Sequence, residues 1–551
     1  MKIIKNFIGN GISYPIFTII ISGYFSLVIN LPVYKELAGI FAELDSVKAI
    51  FILSIPVFFF SVINLLFSLF SWPYLSKPFF SLLVLISSMV SYAGYNYGVM
   101  FDDGMIVNVL ETNSSEASSY FSIYSIFWVV IFGFIPAILI LKAPLRPVES
   151  KLKFLFYKLI SVFLSISIIV IIASGYYQDY SSIGRNNSYL RKMIIPTQFI
   201  YSTSGYIRGK YFSSPMKYIE LGMDAKLSKP ALIASSDKPS LVVLVVGETA
   251  RSQSYELNGY HKPTNAHTRE LGVISFKDVE SCGTATAVSV PCMFSNMTRD
   301  NFSRKRADNQ DNVLDILQRS GISLLWKDND GGDKGVAKNI NKVKVDNSSN
   351  NTLCNGSTCY DMALLEGFNR DIESLSGNRI IVMHMIGSHG PTYFQRYPSS
   401  HAEFTPDCPR SDIENCTIEE LVNTYDNTIL YSDYVISQIV NQLKSYEDKY
   451  NTALIYISDH GESLGEGGIF LHGIPYSLAP DYQTKVPLLL WMSDGFIGEK
   501  LIDEKCLKRK SKINGKYSHD YLFHSLLGIM DVETNVYKRN LDIFYNCRGI
   551  K

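Results

Sequence analysis

The chain has 551 residues, long enough for more than one domain, and its 51 Lys and Arg balance 51 Asp and Glu. Zero net charge gives no electrostatic footprint for nucleic acid. The mean hydropathy of +0.09 averages an apolar first third with a polar remainder.

Five apolar stretches, near 13–32, 48–72, 78–98, 120–141 and 154–175, approach the ~20 residues needed to cross a hydrocarbon core. The first is too long for a signal peptide and is followed by four more, so it reads as a retained anchor. Lys2 and Lys5 precede the first stretch, Lys77 falls between the second and third, and Lys142, Arg146, Lys151 and Lys153 lie between the fourth and fifth. Pro78 to Leu141 contains no Lys or Arg, and its loop carries Asp102, Asp103, Glu111 and Glu116. The bias puts the N-terminus in the cytoplasm, and an odd number of spans sends the C-terminal part to the other side. In the outer loop Asn108, Thr112 and Glu116 recur at every fourth position, one polar face if helical. That face is read either as a solvated helix or as a site for a lipid headgroup, Glu116 pairing with an ammonium.

The expected divisions are a transmembrane domain over 1–175, an interfacial bridging segment over 176–238 and a soluble domain over 239–551. The bridging segment mixes Arg185, Arg191, Lys192, Arg208 and Lys210 with Tyr189, Phe199, Tyr201, Tyr206, Tyr211 and Phe212, a composition suited to the headgroup zone. All eight cysteines (Cys282, Cys292, Cys354, Cys359, Cys408, Cys416, Cys506 and Cys547) fall in the soluble domain, with no CxxC spacing. Disulfides in an oxidising compartment are expected. Pairing each cysteine with its neighbour in sequence is the simplest of ~105 connectivities. The cysteines and the Lys/Arg bias therefore point to the same side of the membrane.

After Pro239, near-continuous apolar strands alternate with helical stretches. Leu241–Val246 ends at Gly247-Glu248-Thr249, Arg379–Ile386 at Gly387-Ser388-His389-Gly390-Pro391, and Ala453–Ile457 at Ser458-Asp459-His460-Gly461-Glu462. This pattern predicts a mostly parallel α/β sheet with helices on both faces. Ligands bind at the carboxyl ends of such strands, which here deliver Glu248, His389, Asp459 and His460, with His472 further on. Carboxylates and imidazoles suit zinc, with manganese the alternative. A divalent ion lowers the pKa of a bound hydroxyl. Ser281-Cys282-Gly283-Thr284-Ala285-Thr286 offers small residues and hydroxyls just before a helical run. Thr284 is the expected nucleophile, with Thr286 and Ser289 open by chemistry alone. His389, His472 and Lys334 are candidates to neutralise phosphate oxygens or protonate a leaving alcohol.

Gly247-Glu248-Thr249-Ala250-Arg251, Ser281-Cys282-Gly283-Thr284, Val290-Pro291-Cys292-Met293-Phe294-Ser295, Gly387-Ser388-His389-Gly390-Pro391 and Ser458-Asp459-His460-Gly461-Glu462-Ser463 together resemble the phosphoethanolamine transferases of Gram-negative bacteria. The lipid A enzymes, including the mobile colistin-resistance proteins, are the nearest in pattern. The resemblance implies five spans, bridging helices and a periplasmic domain of the alkaline phosphatase/sulfatase type in the inner membrane. It implies a catalytic zinc on Glu248, Thr284, Asp459 and His460, with Thr284 the nucleophile. His389 and His472 would serve the substrate phosphate or a second zinc, near Asn329 and Lys334, and Asn108, Thr112 and Glu116 would bind the headgroup. Phosphatidylethanolamine is the implied donor and a lipid A phosphate the acceptor, a modification that confers polymyxin and colistin resistance; the protein is expected to be monomeric. Kdo, core heptose or a periplasmic glucan stay open as acceptors. A sulfatase reading lacks its Cys-x-Pro-x-Arg sequence, since Met293-Phe294-Ser295 follows Cys292. A glycerophosphate transferase of the lipoteichoic acid synthase type fits the topology but not the dense cysteines. A receptor or scaffold would bind no metal.

Overall fold

The computed structural model describes residues 11–42, 44, 47–112, 117, 120–212, 215–229, 238–346, 351–355, 358–515 and 517–549. The chain packs as two compact units, Met1–Ile106 with Ser122–Arg208, and Val107–Phe121 with Gly209–Lys551.

The first unit is helical. α1 (Tyr14–Tyr24) continues as a π-turn to Ile29, α2 is Leu31–Ala42, α3 is Ala49–Phe70, α4 is Ser76–Tyr97, and α5 (Asp103–Glu111) runs out of the unit. α6 (Ile123–Lys142) includes a π-turn, α7 is Lys151–Asn186, and α8 is Thr197–Tyr211. α3, α4, α6 and α7 are each long and apolar enough to cross a membrane, and the pair Tyr14–Ile29 and Leu31–Ala42, bent by 50°, makes a fifth span if taken as one. Apolar side chains such as Leu53, Leu82, Leu139, Phe163 and Ile171 point outward, as lipid-facing residues must. Between apolar helices there is no hydrophobic drive to associate, so small polar contacts hold them. Asn64 of α3 donates to Ser161 and Ser165 of α7 at 3.0 and 2.9 Å and accepts from Ser22 of α1 at 3.4 Å. α7 is 36 residues long, well beyond one span, and its backbone leaves helical geometry at Tyr176. Residues 176–208, set apart in the sequence as part of a linker, pack inside this unit. Tyr189 donates to Glu36 at 2.7 Å, and Asn30 bonds both the N–H and the carbonyl of Ile195.

The second unit is built on a sheet of eight strands. β1 is Ser240–Gly247 and β2 is Ile274–Glu280, followed by the helices α9 (Thr286–Met293), α10 (Arg304–Ala307) and α11 (Val313–Arg319). β3 (Ser323–Asp328), β4 (Asn341–Lys344), β5 (Arg379–His384), α12 (Ile418–Ser445), β6 (Asn451–Ser458), β7 (Lys485–Met492) and β8 (Tyr517–Ser518) complete the frame. The order is β8-β2-β7-β6-β1-β5-β3-β4, parallel throughout except that β7 runs against both neighbours. Leu241 to Val246 are fully buried because both faces of the central strand are covered, which explains an unbroken apolar run where a half-exposed strand would alternate. The four disulfides are Cys282–Cys292, Cys354–Cys359, Cys408–Cys416 and Cys506–Cys547, the neighbour pairing.

Candidate active site and metal centre

Parallel neighbours β6, β1, β5 and β3 end at one edge of the sheet, and each runs into a loop bearing acidic or histidine residues. Gly247 O accepts the N–H of Asp459 at 2.9 Å, which seats the β1 and β6 loops side by side. The β5 loop closes on them at Gly387, whose φ is +50°. A Cβ at that position would stand 2.5 Å from the Glu248 carbonyl oxygen, so only glycine permits the approach.

Glu248, Asp459 and His460 are wholly buried and present donor atoms within 4.8 Å of one another. Glu248 Oε1 lies 3.2 Å from His389 Nδ1 and 3.5 Å from His460 Nε2. His460 Nδ1 donates to Gly461 O at 2.9 Å, which fixes the tautomer and turns the Nε2 lone pair toward the carboxylates. Asp459 Oδ1 accepts the N–H groups of Thr249 and His460 at 3.1 and 2.7 Å, whereas Oδ2 is buried, 3.3 Å from His460 Nε2, with no hydrogen-bond partner among the described residues. Burial, then the neighbouring Glu248 charge, pushes the Asp459 carboxyl well above its usual range. Burial would also raise Glu248, but His460 and His389 outweigh it and hold Glu248 well below. Alone, the pair therefore shares one proton; a divalent cation would let both carboxylates ionise and would satisfy Asp459 Oδ2. Two carboxylates and an imidazole without thiolates are a donor set that zinc accepts.

Two further clusters adjoin this one: His460 with Glu462 and His472, and Glu248 with Asp330 and His389. His472 Nδ1 is 2.8 Å from Glu462 Oε2, and Glu462 Oε1 accepts from the Tyr393 hydroxyl. Burial pushes the Glu462 carboxyl up to about 8, against the lowering effect of the Tyr393 bond. The ring centroids of His460 and His472 are 4.4 Å apart, and those of His389 and His472 5.6 Å.

The hydroxyl facing this cluster belongs to Thr286. Its Oγ1 donates to Glu248 Oε2 at 3.1 Å and lies 3.5 Å from His460 Nε2. Thr286 is the first residue of α9, where free N–H groups and the helix dipole favour an approaching anion.

Comparison with known proteins covers almost the whole chain. A model of the phosphoethanolamine transferase EptA/EptB family matches residues 59–211, and a sulfatase model matches residues 240–532. Phosphoethanolamine transferase EptA of Escherichia coli K12 is 39% identical over 96% of each chain. The chain belongs to the phosphoethanolamine transferase family. Phosphatidylethanolamine transferase Mcr-1 of Escherichia coli is 34% identical over 84% of this chain and 86% of its own. The solved integral membrane lipooligosaccharide phosphoethanolamine transferase A of Neisseria meningitidis superposes with a TM-score of 0.92 at 35% identity, over 97% of this chain and 98% of that one. This phosphoethanolamine transferase is accordingly a multi-pass inner-membrane protein with its sulfatase-like domain in the periplasm. The sulfatase match reflects the shared fold, since the Cys-x-Pro-x-Arg sequence is absent.

The structure corrects one expectation in this transferase. Thr284, read as nucleophile and metal ligand, turns away: its Oγ1 donates to Ile474 O at 2.7 Å, and its carbonyl accepts Gly473 N–H at 2.7 Å. Thr284 is thus a strut under the His472 segment. Two residues on, where extended Ala285 meets the start of α9, the chain delivers the next threonine to the cluster instead. Ser289 is likewise committed, accepting the Gly283 N–H at 2.9 Å. Asn329 spends its amide on Cys359 O and Asp361, while Asp361 accepts the N–H groups of Ile386 and Gly387 and so fixes the His389 loop. Lys334 sits in the left-handed region after the Asp330 loop, and its carbonyl accepts from Arg304. Thr112 bonds back to the Asn108 carbonyl at 2.8 Å. Glu116 lies outside the described residues. Sequence reasoning missed Asp330, although Asp328-Asn329-Asp330 at a strand end carried the signal, and gave Glu462 no role although it stands in a quoted motif.

Proposed function

We propose that this enzyme transfers phosphoethanolamine from phosphatidylethanolamine to a lipid A phosphate through a covalent intermediate on Thr286. The supporting observation is the Thr286 hydroxyl, aimed at Glu248 Oε2 from the start of a helix. Glu248, Asp459 and His460 would hold a zinc ion, with Glu462, His472, His389 and Asp330 around it as donors for a second. When bound, the ion supplies positive charge that lowers the pKa of a nearby hydroxyl and polarises a phosphoryl group.

The residues themselves account for the rest. Thr286 Oγ passes its proton to Glu248 Oε2 and attacks the donor phosphorus. The new Oγ–P bond forms as the P–O bond to diacylglycerol breaks, and the departing oxygen takes a proton from His472 or His389. A protonated lipid A phosphate oxygen then attacks the same phosphorus and gives its proton to that histidine, the Oγ–P bond breaks, and Thr286 takes its proton back from Glu248. Tyr393 and Glu462 orient His472 through its Nδ1. Asn108, Thr112 and Glu116 would receive the ethanolamine headgroup, and Lys334 the phosphate. The added ammonium offsets lipid A phosphate charge, so cationic peptides such as polymyxin bind less well.

Mass spectra of lipid A from cells expressing the enzyme test donor and acceptor together. Phosphoethanolamine on a lipid A phosphate is expected. Its appearance only on Kdo, core heptose or a glucan would refute the acceptor, and a transferred glycerophosphate would refute the donor.

A further inference from the structure

α9 contains a proline at position 291, and a proline has no N–H to give the carbonyl four residues earlier. That carbonyl belongs to Ala287, the residue after Thr286. It is not left bare: Arg304 Nη1 donates to it at 2.5 Å. The same guanidinium reaches two other segments. Nη2 donates to the Lys334 carbonyl at 3.3 Å, and Nη1 pairs with Glu111 Oε2 at 3.2 Å, while Nε is held by Asp308 at 2.9 Å. Glu111 and Arg304 are each only about a quarter exposed, 29% and 24% of the side chain. Glu111 sits between Asn108 and Thr112, and the Thr112 N–H and hydroxyl both close on the Asn108 carbonyl, so these residues form one short rigid piece.

We propose that Arg304 is a positioning residue that latches the Asn108–Thr112 piece of the periplasmic loop, through Glu111, to the nucleophile helix at Ala287 and to the Lys334 loop. This rests on the reading of Asn108 and Thr112 as headgroup residues. The guanidinium fork suits the task because its donors lie in one plane with fixed spacing, so three acceptors on three segments are registered at once. Pro291 then has a role beyond shaping a helix: it opens the acceptor on which the latch closes. Glu111 serves the donor arm of the latch alone, whereas Arg304 serves both the donor arm and the reacting centre.

The test uses the full-length enzyme in detergent micelles, with phosphatidylethanolamine as donor and lipid A as acceptor, and initial rates measured against donor concentration. Glu111→Gln should raise the donor KM about three- to fivefold and leave kcat within about twofold. Arg304→Gln should raise the same KM and also lower kcat about tenfold or more, since Ala287 and Lys334 lose their shared donor. The double variant should show the KM of Arg304→Gln alone, because the two side chains act through one contact. An unchanged KM in Glu111→Gln, or KM effects that multiply in the double variant, overturns the latch while the wild-type transfer still stands. Should Arg304→Gln fail to fold, the KM-against-kcat split in Glu111→Gln decides alone. A wild-type enzyme that transfers nothing from phosphatidylethanolamine refutes the donor reading, and the latch falls with it.

Discussion

Two threonines, two residues apart, make the sharpest test of the site. Thr286→Ala removes the oxygen that is to form the bond to phosphorus; of the other described hydroxyls bonded to Glu248, Asp459 or His460, Thr249 is committed to Glu248 Oε1 and Ser458 to the His460 carbonyl. Loss of a covalent nucleophile costs at least about a thousandfold in kcat. Thr284→Ala removes one buried hydrogen bond, to Ile474 O at 2.7 Å, while the backbone bond from Gly473 to Thr284 O persists. That change should cost about 1–2 kcal/mol of stability. Through slackening of the His472 segment it should cost on the order of tenfold in kcat or less. Both variants are assayed for transfer in micelles and by intact-protein mass spectrometry after incubation with the donor lipid alone. The adduct should map to Thr286 in wild type, persist in Thr284→Ala and vanish in Thr286→Ala. An adduct on Thr284, or transfer surviving in Thr286→Ala, would refute the geometric argument.

Zinc added to chelator-stripped protein at about a hundred times its Kd should stabilise it by about 2.7 kcal/mol, read as a rise in melting temperature. Asp459→Asn, which removes a buried carboxyl otherwise forced to share a proton with Glu248, should melt at least as high as metal-free wild type and lose the zinc-dependent rise. An equal rise in the variant would remove Asp459 from the donor set. His519 is a second handle: it accepts the Cys282 N–H at 3.1 Å and donates to Ser458 O at 2.9 Å, and burial, against the raising effect of the Ser458 bond, pushes it down to about 4. Because the unfolded chain takes this proton near pH 6.5 and the folded one only near 4, its contribution is complete above pH 6.5 and is lost as pH falls toward 4, by about 3 kcal/mol. Melting curves of His519→Gln should be flatter than wild type across that window. An unaltered slope would mean that His519 is already protonated in the folded protein.

Periodicity and composition made most of the architecture legible. The apolar run at Leu241–Val246 announced a strand covered on both faces, and the glycine-bearing segments after three strands announced the edge where Glu248, His389, Asp459 and His460 meet. These inferences succeed because burial and strand direction are written locally. Which threonine hydroxyl faces the cluster was not legible, for the opposite reason. Thr284 and Thr286 differ only in backbone direction at Ala285, and direction is decided by tertiary partners: Ile474 for one hydroxyl, Glu248 for the other. Asp330 escaped because an acidic strand end without a histidine reads equally as a turn or a helix cap. Residues 176–208 read as a linker because mixed aromatic and basic composition does not reveal buried bonds such as Asn30 to Ile195.

The contact between Gly387 and Glu248 bears on how such an enzyme could escape an inhibitor. Most pocket walls can be remodelled by substitution, but any side chain added here collides with the main chain that carries the Glu248 carboxylate, in a conformation L-residues resist. Because Gly387 and Glu248 are both buried, escape by substitution at Gly387 would have to displace the Glu248 carboxylate itself.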